Sequence, residues 1–549
     1  MTRAGVGAIV AAALAAALAL RLARLDVRPM HHDEANQAVK FGALLERGEY
    51  RYDAHDHHGP TLYYLSLPAA WLRGQFTLAS LDEHTLRGVT AMFGTATILL
   101  LPLLSDGIGR TAVAAAATLM ALSPAMVFYS RMFIQESLFA CFVLAFVIAI
   151  GRVTLGGGLG WSALAGAAAG LAVATKETSA IVLPAGILAC AIAWWSLGPA
   201  RPRHSLAHSR WRTAAVLSLG VAAAIAALFY SSFFASPRSV LEPFRGAGTY
   251  LGRGIAPADH AHPWHYYFGL LAYSSSGGLW WSEGLALVLA IAGAVTAWRG
   301  ERARPDRTFW ARYFTGYATI AGAIFSAIPY KTPWNLLPFY AGLLVLAGIG
   351  FSRLFHAARP RALRGALVAA FVLAAANLAW QAWRVSVTYA ADSRNPYVYA
   401  QTVPDTVRMA ARIRELGAMH PDRERMQVSV VAPPYEQWPL PWYLRAMPQV
   451  GYWTELDDPA ALQAPVIVAS MEHTAALDAS FGDRYVSEFF GLRPEVLIAL
   501  YVERGLWERF LAREAPRASA PACGDIARAA SPRCGPTLAV ALWPAAIVR

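Results

Sequence analysis

The sequence predicts an α-helical polytopic membrane protein of about eleven spanning helices, with a small extracytoplasmic α/β domain at its C-terminal side. Three observations carry this expectation. The 549 residues are 56% hydrophobic and only 15% charged, with a mean hydropathy of +0.38, too little charge for the surface of a soluble chain this long. Apolar runs long enough to cross a bilayer recur near 4–24, 86–105, 111–130, 136–152, 159–175, 178–197, 212–234, 278–298, 309–329, 334–355 and 363–383. Beyond Arg384 the runs shorten, and one helical period alternates with short β-rich segments.

The first run has Arg3, an alanine-rich core and Ala-Leu-Ala near its end, as a signal peptide would. It is long and continues through Arg21 and Arg24, so an uncleaved anchor is expected. The net charge of +12 does not mark a nucleic-acid surface, because the arginines sit in short loops between apolar runs. Arg201, Arg203, Arg210 and Arg212, then Arg299, Arg302, Arg304, Arg307 and Arg312, then Arg353, Arg359, Arg361 and Arg364 define one side. By the positive-inside rule the N-terminus is cytoplasmic and, with an odd helix count, the C-terminal domain lies outside an inner membrane.

Two long loops then face outward. The first, 25–85, opens with His31-His32-Asp33-Glu34, and acids this close to a bilayer are costly unless they face a cavity or a partner. Asp33 also stands where it can cap the amphipathic helix expected over Glu34–Glu46; a second such piece covers Thr61–Leu72, with Tyr63, Tyr64 and Trp71. Between them lies Asp53-Ala54-His55-Asp56-His57-His58. His32, His55 and His57 are candidate ligands of a divalent metal, Mn or Zn, with Asp33 or Asp56; surface histidines without that role are commoner. The second loop, 235–277, carries His260, His262, Trp264, His265, Tyr266 and Tyr267.

In the last third, Pro404–Met419 reads as an amphipathic helix, and Gln427–Ala432, Pro465–Ser470 and Glu495–Val502 as buried strands. The expected organisation is a membrane domain over 1–390, an α/β domain over 391–512 and an Ala/Pro-rich tail over 513–549. Cys141 and Cys190 fall in apolar runs as packing residues, whereas Cys523 and Cys534 suit a disulfide if the tail is outside the cytoplasm.

Three further junctions fall on the outward side: Tyr129–Glu136, Thr175–Thr178 and Ile328–Asn335. Only three of the 47 basic residues are lysine (Lys40, Lys176 and Lys331), and two occupy these junctions. A compact ammonium suits a lone phosphate as a point charge, although interfacial snorkelling explains a lysine there equally well. Lys176 and Glu177 are also simply neighbouring opposite charges.

These motifs resemble the GT-C glycosyltransferases, in particular the protein O-mannosyltransferase and aminoarabinose transferase group, whose donors are polyprenyl-phosphate sugars. The resemblance rests on His32-Asp33-Glu34-Ala35, Ser130–Glu136, Gly170–Glu177 and Lys331-Thr332-Pro333-Trp334, and covers about 1–510. Asn395–Thr402 and Trp438–Arg445 narrow it toward a branch described as flippase-activity-associated proteins of archaeal-type N-glycosylation. The resemblance implies a GT-C-like membrane fold and an inverting transfer from a polyprenyl-phosphate-linked sugar to a lipid, glycan or protein acceptor. It implies Asp33 as base, Glu34 as its helper and Glu136 as the second acid. Arg131, Lys176 and Lys331 would hold the phosphate; Glu177, His58 and Tyr63 are further candidate substrate contacts, although the histidine-rich 55–58 stretch has no residue-by-residue match in the resemblance. No cofactor is required by it, and no Rossmann glycine fingerprint is present. The competing expectation is a non-catalytic polyprenyl-lipid binding or translocation partner; a transporter is disfavoured, as no paired Gly/Pro-broken repeat is seen.

Overall fold

The computed structural model describes residues 2–48, 50–53, 58–201, 208–243, 245, 252, 260–299 and 304–514. Every apolar run expected to span is helical, from Arg3–Leu22 to Arg361–Trp383. Among the described residues, seven helices are long and apolar enough to cross a membrane. An eighth forms if Arg110–Leu122 and Pro124–Ser130, bent by 55° at their junction, make one span. The chain is thus a multi-pass membrane protein, with fewer self-sufficient spans than expected. Length accounts for part of the shortfall: Leu159–Val173 and Gly284–Arg299 have 15 and 16 residues, about 22–24 Å of helix against a hydrocarbon core of about 30 Å.

The bend at Ser123 follows from local chemistry. Pro124 disfavours helical backbone in the residue before it, and the Ser123 side chain accepts a hydrogen bond from the Met126 N–H to start the next helix. Elsewhere small residues let helices approach closely. Gly350 of Leu337–Ala357 lies against the Leu289 carbonyl of Gly284–Arg299, where a Cβ has no room.

Beyond the membrane helices, Pro404–Glu514 folds around a five-stranded sheet ordered Val450–Trp453, Val428–Val431, Val466–Ser470, Val496–Glu503, Tyr485–Arg493. The first three strands are parallel and the last two antiparallel to their neighbours. Strand residues alternate between two cores. Val428, Val430, Val466 and Val468 pack on Pro404–Met419 and Arg504–Glu514, whereas Val431, Ile467 and Ala469 pack on Thr474–Phe481. The three expected strands and the helix are present. The two edge strands, Val450–Trp453 and Tyr485–Arg493, were not legible, because Gly451 and Glu488 break the apolar pattern on half-buried edges.

Cys141 and Cys190 are buried free thiols. The pairing expected of Cys523 and Cys534 lies outside the described residues, as do His55, Asp56 and His57.

Buried charge ties the loops to the bundle. Glu34, in the helix His32–Arg47, accepts from Arg87 Nε at 2.7 Å and Nη2 at 2.8 Å, from the Phe133 N–H at 2.8 Å and from Arg28 Nη2 at 3.5 Å. All three charged side chains are at most 4% exposed. Removing one partner leaves the others charged and buried, so Glu34→Gln is expected to destabilise the protein by about 3–5 kcal/mol. A thermal or chemical melt in detergent checks this; an unchanged transition contradicts it.

Candidate functional site

The site is built on the first turn of His32–Arg47. His31 is extended and caps the helix: its Nδ1 accepts the Asp33 N–H at 3.1 Å, and the Glu34 carboxylate accepts the His31 N–H at 3.0 Å. Capping was expected of Asp33; His31 takes that task and leaves the Asp33 carboxylate out of it. Consecutive helical residues point about 100° apart. Glu34 therefore turns into the bundle, while Asp33 shares a face with Asn36, Gln37 and Lys40. The Asp33 side chain is 43% exposed, and its one recorded polar neighbour among the described residues is His31 Nδ1, 3.9 Å away.

Burial opposes charge on Glu34, but Arg87 and Arg28 overcome it and hold its pKa down at about 2. The helper role expected of Glu34 does not suit this placement: both oxygens are committed to ionic and backbone partners. It positions Asp33 instead.

The second acid opens the helix Glu136–Thr154, where unpaired N–H groups and the helix dipole favour a carboxylate. Glu136 is buried and ion-paired with Lys176 Nζ, which also donates to Asn335 Oδ1 at 2.8 Å. From here the contacts close on themselves. Asn335 follows Trp334, whose ring meets the His31 ring edge-on at 5.7 Å. On the other side Gln135, next to Glu136, donates to Gln37 Oε1 at 3.0 Å, and Gln37 stands one helical turn from Asp33. The circuit Asp33, Gln37, Gln135, Glu136, Lys176, Asn335, Trp334, His31 thus brings together four segments distant in sequence.

Lys331 borders this circuit beside Trp334. Its ammonium donates to the carbonyls of His262 at 2.9 Å and Ile328 at 2.5 Å, and burial lowers its pKa. An ammonium has three donors, and among the described residues Lys176 and Lys331 each use two of them.

Other expected contacts lie elsewhere. Arg131, expected at the phosphate, spends its guanidinium on the carbonyls of Leu20, Arg21, Ala23, Arg24 and Ser386, at 2.6–3.2 Å. It caps the open C-terminal end of the first helix, where such carbonyls need donors. Tyr63 is fully buried and donates to Gln37 Oε1, which makes it a support of the circuit. Glu177 pairs with His58 Nδ1 at 2.8 Å rather than with Lys176. Beside them the Gly59 and Thr61 N–H groups donate to the carbonyls of Thr175 and Ala174, pinning the first loop to that junction. His32 lies beside the Trp438 ring at 6.0 Å. Among the described residues no three His, Cys, Asp or Glu side chains converge as metal ligands.

Both C-terminal segments singled out from the sequence fold over this turn. The Tyr399 carbonyl meets His31 Nε2 at 3.0 Å, and Gln401 donates to the Pro29 carbonyl at 2.9 Å. Tyr443 Oη accepts the Met30 N–H at 2.7 Å, and Trp442 Nε1 donates to Glu83 at 2.9 Å. Sequence reasoning passed over His31, Gln37, Gln135 and Asn335. Gln37 was within reach, since four residues after Asp33 is the same helical face, whereas nothing marks Arg87 among so many arginines.

Compared with known proteins, residues 11–237 match the family model described as dolichyl-phosphate-mannose-protein mannosyltransferase. The chain is similar in structure to ArnT from Cupriavidus metallidurans bound to undecaprenyl phosphate, with a TM-score of 0.60 at 16% identity. That match covers 92% of this chain and 99% of the other. It is also similar to the archaeal oligosaccharyltransferase AglB from Archaeoglobus fulgidus in complex with an inhibitory peptide and a dolichol-phosphate. Here the TM-score is 0.57 at 14% identity, over 91% of this chain and 76% of the other. No curated protein matches by sequence. The chain has the GT-C fold.

The His58–Glu177 pair makes the loop anchor pH-sensitive. Burial disfavours charge on both, but mutual attraction prevails, raising the His58 pKa and lowering that of Glu177. A raised histidine pKa stabilises fully below its unfolded value of about 6.5 and less as pH climbs through the folded value. The stability gap between wild type and His58→Gln is expected to be largest between about pH 4.5 and pH 6.5, shrinking at higher pH as His58 loses its proton and at lower pH as Glu177 gains one. A melting series across pH checks this, and a gap that grows above about pH 6.5 refutes it.

Proposed function

We propose that this protein is a membrane glycosyltransferase that moves a sugar from a polyprenyl-phosphate carrier to a hydroxyl-bearing acceptor, with inversion at the anomeric carbon. The observation that carries this reading is the closed circuit joining Asp33 to Glu136, Lys176 and Asn335, with Lys331 at its border. The match of residues 11–237 to a mannosyltransferase family model and the shared GT-C fold support it.

Asp33 is the base. Its half-exposed carboxylate takes the acceptor proton as the acceptor oxygen bonds to the anomeric carbon. The bond from that carbon to the phosphate oxygen breaks from the opposite face, so configuration inverts. The leaving phosphate gains negative charge, which the ammonium groups of Lys176 and Lys331 meet in a site with little water. Glu136 and Asn335 orient Lys176, and Glu34 fixes the turn that aims Asp33. The arginine-rich loops support a reading in which this chemistry lies on the outer face of the cytoplasmic membrane, where the carrier arrives through the bilayer. The rival reading, a non-catalytic carrier-binding protein, uses the same lysines but leaves the half-exposed Asp33 carboxylate without a task.

Asp33→Asn is expected to lower transfer by about 10²- to 10⁴-fold while leaving melting and undecaprenyl phosphate binding unchanged. Mass spectrometry of envelope glycans and lipid-linked sugars, in cells carrying wild type or variant, reads the outcome. A fully active Asp33→Asn protein defeats the assignment.

A further inference from the structure

The topology of the sheet domain points to a crevice that the reaction described above does not use. The two central parallel strands, Val428–Val431 and Val466–Ser470, end side by side, and the chain leaves them in opposite directions. After Val431 it crosses to Val450–Trp453 on one flank; after Ser470 it turns toward the antiparallel strands on the other. Such a divergence at the carboxyl ends of strands opens a ligand-sized cleft.

The side chains there are unusual for a surface loop. Tyr435 is 59% exposed. The half-buried Glu436 carboxylate accepts no hydrogen bond among the described residues, although Arg493, Glu472 and His473 surround it electrostatically. Arg493 Nη2 donates to the Tyr435 carbonyl at 2.6 Å, while its Nε is buried without a partner. A carboxylate with no hydrogen-bond partner among the described residues thus lies near a guanidinium and beside an exposed ring. The crevice also adjoins the reacting carboxylate: its loop continues to Trp438, which faces His32, the residue before Asp33.

We infer that Tyr435, Glu436 and Arg493 form a carbohydrate-binding subsite that presents a glycan acceptor to Asp33. An exposed aromatic face packs against the C–H face of a sugar ring, and a carboxylate beside a guanidinium suits vicinal hydroxyls. The charges are of both signs, which does not suit a polyanion. A polypeptide would find little backbone hydrogen bonding here, because Val403, Asp405 and Thr406 already bond the Gly491 and Leu492 backbone next to Arg493. The role as acceptor site rests on the glycosyltransferase reading; the binding itself does not.

Full-length protein in lipid nanodiscs, probed by saturation-transfer NMR with mannotriose, maltotriose and chitotriose, tests this. At least one trisaccharide should bind wild type and Asp33→Asn alike. Tyr435→Ala and Glu436→Gln should each weaken it roughly ten- to hundredfold, with melting and undecaprenyl phosphate binding unchanged. Absence of binding by all three sugars, equal binding by the two crevice variants, or binding of an extended peptide in place of sugar overturns the subsite. Loss of undecaprenyl phosphate binding by wild type, with sugar binding intact, instead sinks the glycosyltransferase reading.

Discussion

Glu34 is the fixed point of this structure. One buried carboxylate joins its own helix start, through the His31 N–H, to the span Glu83–Leu99, through Arg87, and to the Tyr129–Glu136 junction, through the Phe133 N–H. Arg87 extends the tie by donating to the carbonyls of Leu25, Arg28 and Pro29, so the chain leaving the first helix is held along its length. A buried charge is tolerable only when each lone pair is satisfied, and here geometry and partners meet that condition. With its pKa near 2, the carboxylate stays charged at any physiological pH, and the knot does not titrate. Two acids adjacent in sequence thereby divide their labour. One is consumed in building the turn, and the other is left half-exposed at the surface of the circuit, with His31 Nδ1 3.9 Å from its carboxylate.

The cations divide in the same way. Arg21 and Arg131 lie at the end of the first helix and are spent on backbone carbonyls, Arg21 on Met120 and Ala121 at 3.0 and 2.9 Å. A planar fork with several fixed donors serves such clusters of carbonyls, and once so used it has little left for a phosphate. A lysine ammonium is instead a point charge with three rotatable donors. Lys176 and Lys331, two of the three lysines, lie at the circuit and at its border, whereas the Arg131 guanidinium, expected at a phosphate, is held by backbone carbonyls.

How much of this was readable without coordinates depends on the length scale of the signal. Spans are written in runs of about twenty residues, and every run was found. The central strands, buried on both faces, show as continuous apolar runs, whereas edge strands such as Tyr485–Arg493 alternate with charge and do not. At the site, periodicity sufficed to set Asp33 and Glu34 on different faces but not to say which one faced inward, because that depends on Arg87, 53 residues away from Glu34. His31 as a cap was hidden for a different reason. Histidine is not among the usual capping residues, and its use here relies on Tyr399 and Trp334 to hold the ring.

The C-terminal segments show why the sheet domain and the membrane helices act together. Tyr397 donates to the buried Glu283, which also accepts from Tyr340 and from the Ala125 N–H. From that anchor the chain runs past His31 and Pro29, and returns at Trp442 and Tyr443 to grip Glu83 and Met30. Contacts on both sides of Pro404–Met419 thus clamp the sheet to the turn that bears Asp33. The transfer proposed above needs carrier and acceptor held at fixed distance, and misplacement by about 1 Å is enough to cost two orders of magnitude in rate. A seam of buried hydrogen bonds holds Asn395–Thr402 and Trp438–Arg445 against the turn where a flexible linker would not.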